Sequence, residues 1–286
     1  MNPFLKLLVL ASILITGCSK LEVAYDFAPG IIAGRMDDYF DLESKQKSRL
    51  KKTIQSELDR IIINELPAYL ELEKEWMTLL EKKDIQKTEL KAHNEKTRKW
   101  LFDVFARMEP ALLPFALELT PKQIEYFHKK VVKELEEHDE KTSTLKGQKK
   151  ELRRRFEFGL SWNFDDLTSS EEKLFEAWLE TAGYPFRDES LSRKKSTDLF
   201  LEASKSPATF KAHLETIFRN PLAFRSKEYA SKIDVVLDSY LDLQLKILLG
   251  SQDKDRKRRV KHTQDVFDQL VKLREKVMKS NSKSAS

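Results

Sequence analysis

The sequence predicts an all-α protein, a single multi-helix bundle, and three observations predict it. From Ile31 onward apolar residues recur every three or four positions, the period of one face of a helix. No run in that region alternates strongly enough to read as a half-buried strand. Charged residues make up 35% of the chain and only 7 of its 286 residues are glycine, the balance of a helix-rich protein with a heavily solvated surface.

Residues 31–278 are expected to form the helical domain. Ile31, Gly34 or Arg35, Tyr39 and Leu42 begin the pattern, and Leu50, Ile54, Leu58 and Ile61-Ile62 continue it among Lys, Gln, Glu and Arg. Asn64-Glu65-Leu66-Pro67 interrupts it. Proline suits the first turn of a helix and not its interior, so a kink or restart is predicted there. Leu72, Trp76 and Leu79-Leu80 resume the pattern, and Asp84 is placed to cap the following helix. That charged helix ends in Trp100-Leu101, Val104-Phe105 and Met108, and Pro110 and Pro114 bracket a short apolar piece. Ser206-Pro207 supplies an N-cap with a first-turn proline, and Asn220-Pro221 stops the helix it starts. Tyr229, Ile233, Val236-Leu237, Tyr240 and Ile247-Leu248 make the clearest amphipathic face, closed by Gly250. Val260, Phe267, Leu270-Val271 and Val277 make the last, and residues 279–286, polar and serine-rich, are expected to be a disordered tail.

Ahead of the domain stands a different composition. Met1 to Lys6 is weakly positive, and residues 7–15 form an apolar run of the length of a signal-peptide core. A membrane span needs about 20 apolar residues, so this run is too short to be one. Thr16 and Gly17 are small, and Cys18 is the only cysteine of the chain. Ile15-Thr16-Gly17-Cys18 resembles the lipobox of bacterial lipoproteins: an aliphatic residue, two small residues and a cysteine. The resemblance implies that residues 1–17 are a signal peptide, with Ile15, Thr16 and Gly17 read by the peptidase. Cys18 then begins the mature chain, carrying diacylglycerol on sulfur and an acyl group on nitrogen. No other cofactor is expected. Ser19 stands where sorting systems of the enteric type read aspartate as a retention signal, so the implied address is the outer membrane, facing the periplasm. Residues 18–30 are expected to be a short tether. Leu21, Val23, Tyr25 and Phe27 alternate with polar or small residues, a pattern for a short extended segment docked on the domain and broken at Pro29-Gly30.

From Cys18 onward the chain has about 270 residues, enough for one large domain burying roughly 70–75% of its unfolded surface. With one thiol, no disulfide is available. The net charge of +5 is mild. In an exported protein it points to anionic lipid, lipopolysaccharide or cell wall before nucleic acid.

One local pattern recurs. Residues 40–46, 117–123 and 165–171 align on Leu42, Leu119 and Leu167, with Gln46, Gln123 and Glu171 four positions later. Thr120/Gln123 and Thr168/Glu171 fit a capping box, while Glu43 stands where the first threonine would be. The unequal spacings rule out a solenoid of fixed period. Leu119-Thr120-Pro121-Lys122-Gln123 resembles the LTxxQ motif of Spy and its relatives, which implies an ATP-independent chaperone surface. More broadly the chain resembles a family of proteobacterial helical lipoproteins of no known activity, from the lipobox to about Gly250. Tyr25, Tyr39-Phe40-Asp41-Leu42, Leu66-Pro67-Ala68-Tyr69 and the starts at Leu119 and Leu167 carry that resemblance.

Catalytic chemistry lacks its parts. Gly159-Leu160-Ser161-Trp162-Asn163 is the nearest approach to a serine elbow, but it ends in asparagine and has no strand before it. His93, His128, His138, His213 and His262 never pair at metal-ligand spacing, and His138 is read as part of a solvated acidic face. No phosphate-binding loop or dinucleotide fingerprint is present. Two basic runs stand out: Lys149, Lys150, Arg153, Arg154 and Arg155, then Arg256, Lys257, Arg258 and Arg259. Behind a lipobox they suggest anionic headgroups and not nucleic acid, or else a solvated helix face with i,i+4 partners. The expectation is therefore a lipid-anchored envelope protein that binds without turnover. Its partners would be the membrane and an envelope protein or, in the chaperone alternative, an unfolded client.

Overall fold

Residues 20–284 are described in a computed structural model, and all of its regular elements are helical. The all-α reading stands. Helix α1 (Lys20–Phe40) leads into α2 (Ser44–Arg60), a π-helical turn (Ile61–Glu65) and α3 (Leu66–Glu81). Then come α4 (Lys87–Arg107), α5 (Glu109–Leu117), α6 (Pro121–Lys141), α7 (Leu145–Phe164) and α8 (Ser169–Thr181). The chain closes with α9 (Phe186–Ala203), α10 (Pro207–Arg219), α11 (Lys227–Gly250) and α12 (Asp253–Ser284).

The helix ends follow side-chain chemistry. Thr120 Oγ1 accepts the Gln123 N–H at 3.3 Å while the Gln123 side chain accepts the Thr120 N–H at 3.0 Å, and Thr168 and Glu171 repeat the box. Without a threonine, Glu43 still stands at the N-cap of α2, and Gln46 accepts its N–H at 3.0 Å. Asp41 turns the chain between α1 and α2 with φ 50°, a left-handed conformation that aspartate tolerates better than most residues. Two expected caps differ. Gln86, not Asp84, caps α4, and Ser206 holds the N-cap position of α10 without a side-chain cap bond.

The interruption at Pro67 is a π turn. The Leu66 N–H reaches back five residues to Ile61 O, the wider register in which a helix absorbs an extra residue. Because Pro67 has no N–H, the carbonyl of Ile63 loses its helical donor. Arg274 on α12 supplies one instead, with Nε 3.2 Å from Ile63 O.

Both ends of the helical region correct the sequence reading. Residues 20–30 are not an extended tether: α1 begins at Lys20 and passes through Pro29 and Gly30 unbroken. The alternation at Leu21–Phe27 concealed a helical face made largely of alanine, with Leu21, Ala24, Ala28 and Ala33 buried. Packing on α2 and α6 holds the helix despite the proline. Residues 279–284 continue α12 instead of forming a disordered tail. Leu273 and Val277 anchor that helix, and each further residue needs to add only one hydrogen bond.

Among the described residues three apolar clusters lie between the helices. The largest gathers Trp76 and Leu80 of α3, Leu160 and Phe164 of α7, Phe175 of α8 and Ile247 and Leu248 of α11. A second joins Phe40, Leu50, Ile124, Val131, Phe200 and Phe210. In the third, Ile62, Leu66 and Leu70 meet Leu273 and Val277 of α12. Helix α12 runs antiparallel along α3: Lys83 pairs with Asp253 at one end, and Lys276 pairs with Glu22 of α1 at the other.

Candidate functional site

A deeply buried polar constellation is built on α7, and it contains part of the first basic run. Glu151 and Arg155, one turn apart, face α6 and α9. Arg155 donates through Nε to Glu151 at 2.8 Å and through Nη1 to Glu189 and the Tyr184 hydroxyl, both at 2.6 Å. The Tyr184 and Tyr229 hydroxyls lie 2.9 Å apart. The Arg155 and Glu189 side chains are 6% and 2% exposed, so neither charge is solvated by bulk water. His138 closes the cluster, its Nε2 3.4 Å from Arg155 Nη2 and 4.0 Å from Glu189. The face of Phe186 lies beneath both His138 and the guanidinium.

Electrostatics follow from that enclosure. Burial, with the Arg155 guanidinium alongside, pushes His138 down to about 4, leaving a neutral imidazole at pH 7. Burial alone would raise Glu151, but hydrogen bonds and charge from Arg154 and Arg155 overcome it and hold the carboxyl at about 2. His138 is thus not on a solvated acidic face, although Glu136, Glu137 and Glu140 around it are exposed. These contacts tie α7 to α9 and to Tyr184, with His138 of α6 set against the guanidinium.

The second basic run is a staple for helix ends. Arg256 donates to the carbonyls of Leu80 and Lys82 at the end of α3 and of Leu248 at the end of α11. Carbonyls at a helix C-terminus lack the usual donor one turn on, and that of Leu248 also accepts the Ser251 N–H at 3.3 Å. Arg259, fully buried, donates to Glu171 at 2.7 Å, to Phe164 O at 3.2 Å and to Ser251. Arg258 reaches Asp165 at 2.8 Å and Asp166 O at 2.7 Å. Lys149 pairs with Glu176 and Glu180, Arg153 with Glu172 and Glu176, and Arg154 with Glu151.

The two runs are therefore not continuous cationic surfaces. Arg155, Arg256 and Arg259 face inward because α7 and α12 set them on their buried faces, and Lys150 and Lys257 remain exposed. A signal for Arg256 and Arg259 existed in the sequence. Val277, Leu273 and Val266 step back by helical spacing onto Thr263, Arg259 and Arg256, so the arginines continue an apolar face.

The other residues singled out from sequence fall apart in space or lie outside the described residues. Ile15, Thr16, Gly17 and Cys18 lie outside them. Ser161 is within α7, its hydroxyl donating to Glu157 O. His93 stacks on Trp76, His128 meets Asp198 at 2.7 Å, His213 stacks on Phe224, and His262 sits 3.7 Å from Asp165. Among the described residues no group of His, Cys, Asp and Glu is placed to hold a metal ion. The structure does bring the first two repeats together. Gln123 Nε2 donates to Gln46 Oε1 at 2.7 Å and to Asp41 O at 3.2 Å, so the LTxxQ glutamine is buried against its counterpart.

Residues 38–230 match the family model DUF6279, described as a family of unknown function. The chain belongs to DUF6279. No curated protein and no solved structure matches it. The DUF6279 segment holds all three Leu-x-x-x-Gln/Glu starts and the Arg155 cluster, and it ends inside α11. Arg256 and Arg259 lie beyond it, yet they cap and pair DUF6279 residues Leu80, Phe164 and Glu171.

Proposed function

We propose that this DUF6279 member is a lipid-anchored helical protein of the cell envelope, acting by binding and without turnover. The observation that carries this reading is Ile15-Thr16-Gly17-Cys18, directly after the apolar run at residues 7–15. One acyl chain holds a protein to a bilayer only marginally, whereas two or three, at about 0.8 kcal/mol per buried methylene, make a lasting anchor. Among the described residues no helix is long and apolar enough to cross a membrane.

Mass spectrometry of the protein from its native host tests the anchor. The expected N-terminal peptide starts at Cys18 and carries diacylglycerol and an acyl group, and Cys18→Ala should move the protein to the soluble fraction. A bare Cys18, or Met1 still present, would remove the reading. The chaperone-like alternative rests on Leu119-Thr120-x-x-Gln123 and the charged helices. Its test is suppression of client aggregation by the unacylated protein, and no suppression at several-fold excess would end it.

A further inference from the structure

Helix α1 carries an apolar stripe that faces away from the core. Val23, Phe27 and Ile31, at i, i+4 and i+8, are 51%, 64% and 40% exposed. At that spacing they share one side of the helix, while Leu21, Ala24 and Ala28 take the buried side. Single exposed apolar residues need no explanation, but three in a row along one outward helix face do. The stripe is kept smooth by Gly30 and Gly34 beside it, and a side chain at Gly34 would meet nothing within 4 Å.

What borders the stripe narrows what could cover it. Glu22 and Asp26 are drawn to one side by Lys276, at 2.9 and 3.6 Å. Lys51, exposed on α2, lies 3.9 Å from where a Gly30 side chain would begin. An apolar face can seat at the boundary between headgroups and acyl chains, and Lys51 beside it would meet anionic headgroups. Position along the chain adds the deciding point. Helix α1 starts at Lys20, two residues after Cys18, and Ile31 lies about 16 Å further along it at 1.5 Å per residue. The stripe therefore begins where the acyl chains would enter the bilayer, closer than any other part of the structure is bound to be.

We infer that Val23, Phe27 and Ile31 seat in the surface of the bilayer that holds the acylated Cys18, so that α1 lies along the membrane instead of hanging from it. This rests on the lipid anchor proposed above and adds an orientation to it. Asp253 is about 34 Å from Lys276 along α12, so the loop at Gln252 lies far from the stripe.

The test uses the full acylated protein in vesicles of phosphatidylethanolamine and phosphatidylglycerol. Once Cys18 is acylated, an introduced cysteine is the only free thiol. An environment-sensitive fluorophore is placed at Gly34→Cys, beside the stripe, and separately at Gln252→Cys. Flotation with the vesicles reports the anchor itself, and its failure would overturn the lipoprotein reading together with this one. In protein that floats, the Gly34→Cys label should be blue-shifted and quenched several-fold more by lipid-borne nitroxides than the Gln252→Cys label. Replacing all three stripe residues by serine should return the Gly34→Cys label to its water-exposed signal while helicity and flotation persist. Equal, water-like signals at the two positions in floating protein would overturn the seating and leave the anchor standing. A Gly34→Cys label already shielded in unacylated protein without vesicles would show that a second copy covers the stripe, and would also overturn it.

Discussion

At the scale of single residues, the largest truncation costs fall on a few buried arginines. Removing one partner of a buried ion pair strands the other charge, at a cost of about 3–5 kcal/mol. Arg259→Ala should destabilise by that order, since it leaves Glu171 short of its guanidinium and Phe164 O short of a donor. Arg154→Ala, at a pair whose arginine is 56% exposed, should change stability by less than about 1 kcal/mol. Urea-unfolding midpoints of the two variants check the contrast. The pH dependence is set in part by His138. Its folded value, about 4, is below the roughly 6.5 of an unfolded histidine, so between those pH values the unfolded chain binds the extra proton. Stability from this group is full above pH 6.5 and is lost as pH falls toward 4, by an amount on the order of 2–3 kcal/mol. His93 and His213 shift in the same direction through burial. His138→Gln should flatten part of the loss over this window in stability measured against pH. An unchanged slope would mean that His138 does not carry it.

At the scale of helices, capping and register decide the boundaries. Thr120→Ala and Thr168→Ala should each cost about 1 kcal/mol, because each hydroxyl accepts an otherwise orphaned N–H. Ser206→Ala should cost only a few tenths of a kcal/mol, since the Ser206 side chain makes no cap bond. Thermal melts of the three variants distinguish a cap read from sequence from one that operates. Arg274→Ala should cost about 1–3 kcal/mol by leaving Ile63 O without a donor at the π turn. The helices hardest to see from sequence were α1 and α9. Small Ala24, Ala28 and Ala33 line much of the buried face of α1, and Glu189, Ser190, Ser192 and Thr197 are buried on α9, so the core-facing side of neither is marked by large apolar residues throughout. Tyr229, Ile233, Val236 and Ile247 of α11 do, and that helix was legible with its Gly250 end.

At the scale of the whole molecule, α12 joins parts that the family match separates. It lies outside residues 38–230, yet it supplies Leu273 and Val277 to α3 and the buried arginines to the ends of α3, α7 and α11. Deleting residues 253–286 should therefore abolish cooperative unfolding, and residues 38–230 alone should give poorly dispersed amide resonances. Deleting only residues 281–286 should leave the melt unchanged. A cooperative transition in the larger deletion would show that α12 is an accessory to the fold.

The sequence by itself determined the helical class, the positions of the capping boxes, the restart near Pro67 and the expectation of an anchor at Cys18. Each of these is written in residues close together in the chain, where a period of three to four or a hydroxyl three places before an amide is enough. Only the tertiary structure decided that Arg155, Arg256 and Arg259 turn inward, that Gln46 meets Gln123, and that Val23, Phe27 and Ile31 are left facing out. Whether a charge can be buried, or an apolar face left uncovered, depends on partners such as Glu171 and Glu189 brought from distant helices. Local spacing places a residue on a face of its helix; what that face meets is a property of the packed bundle.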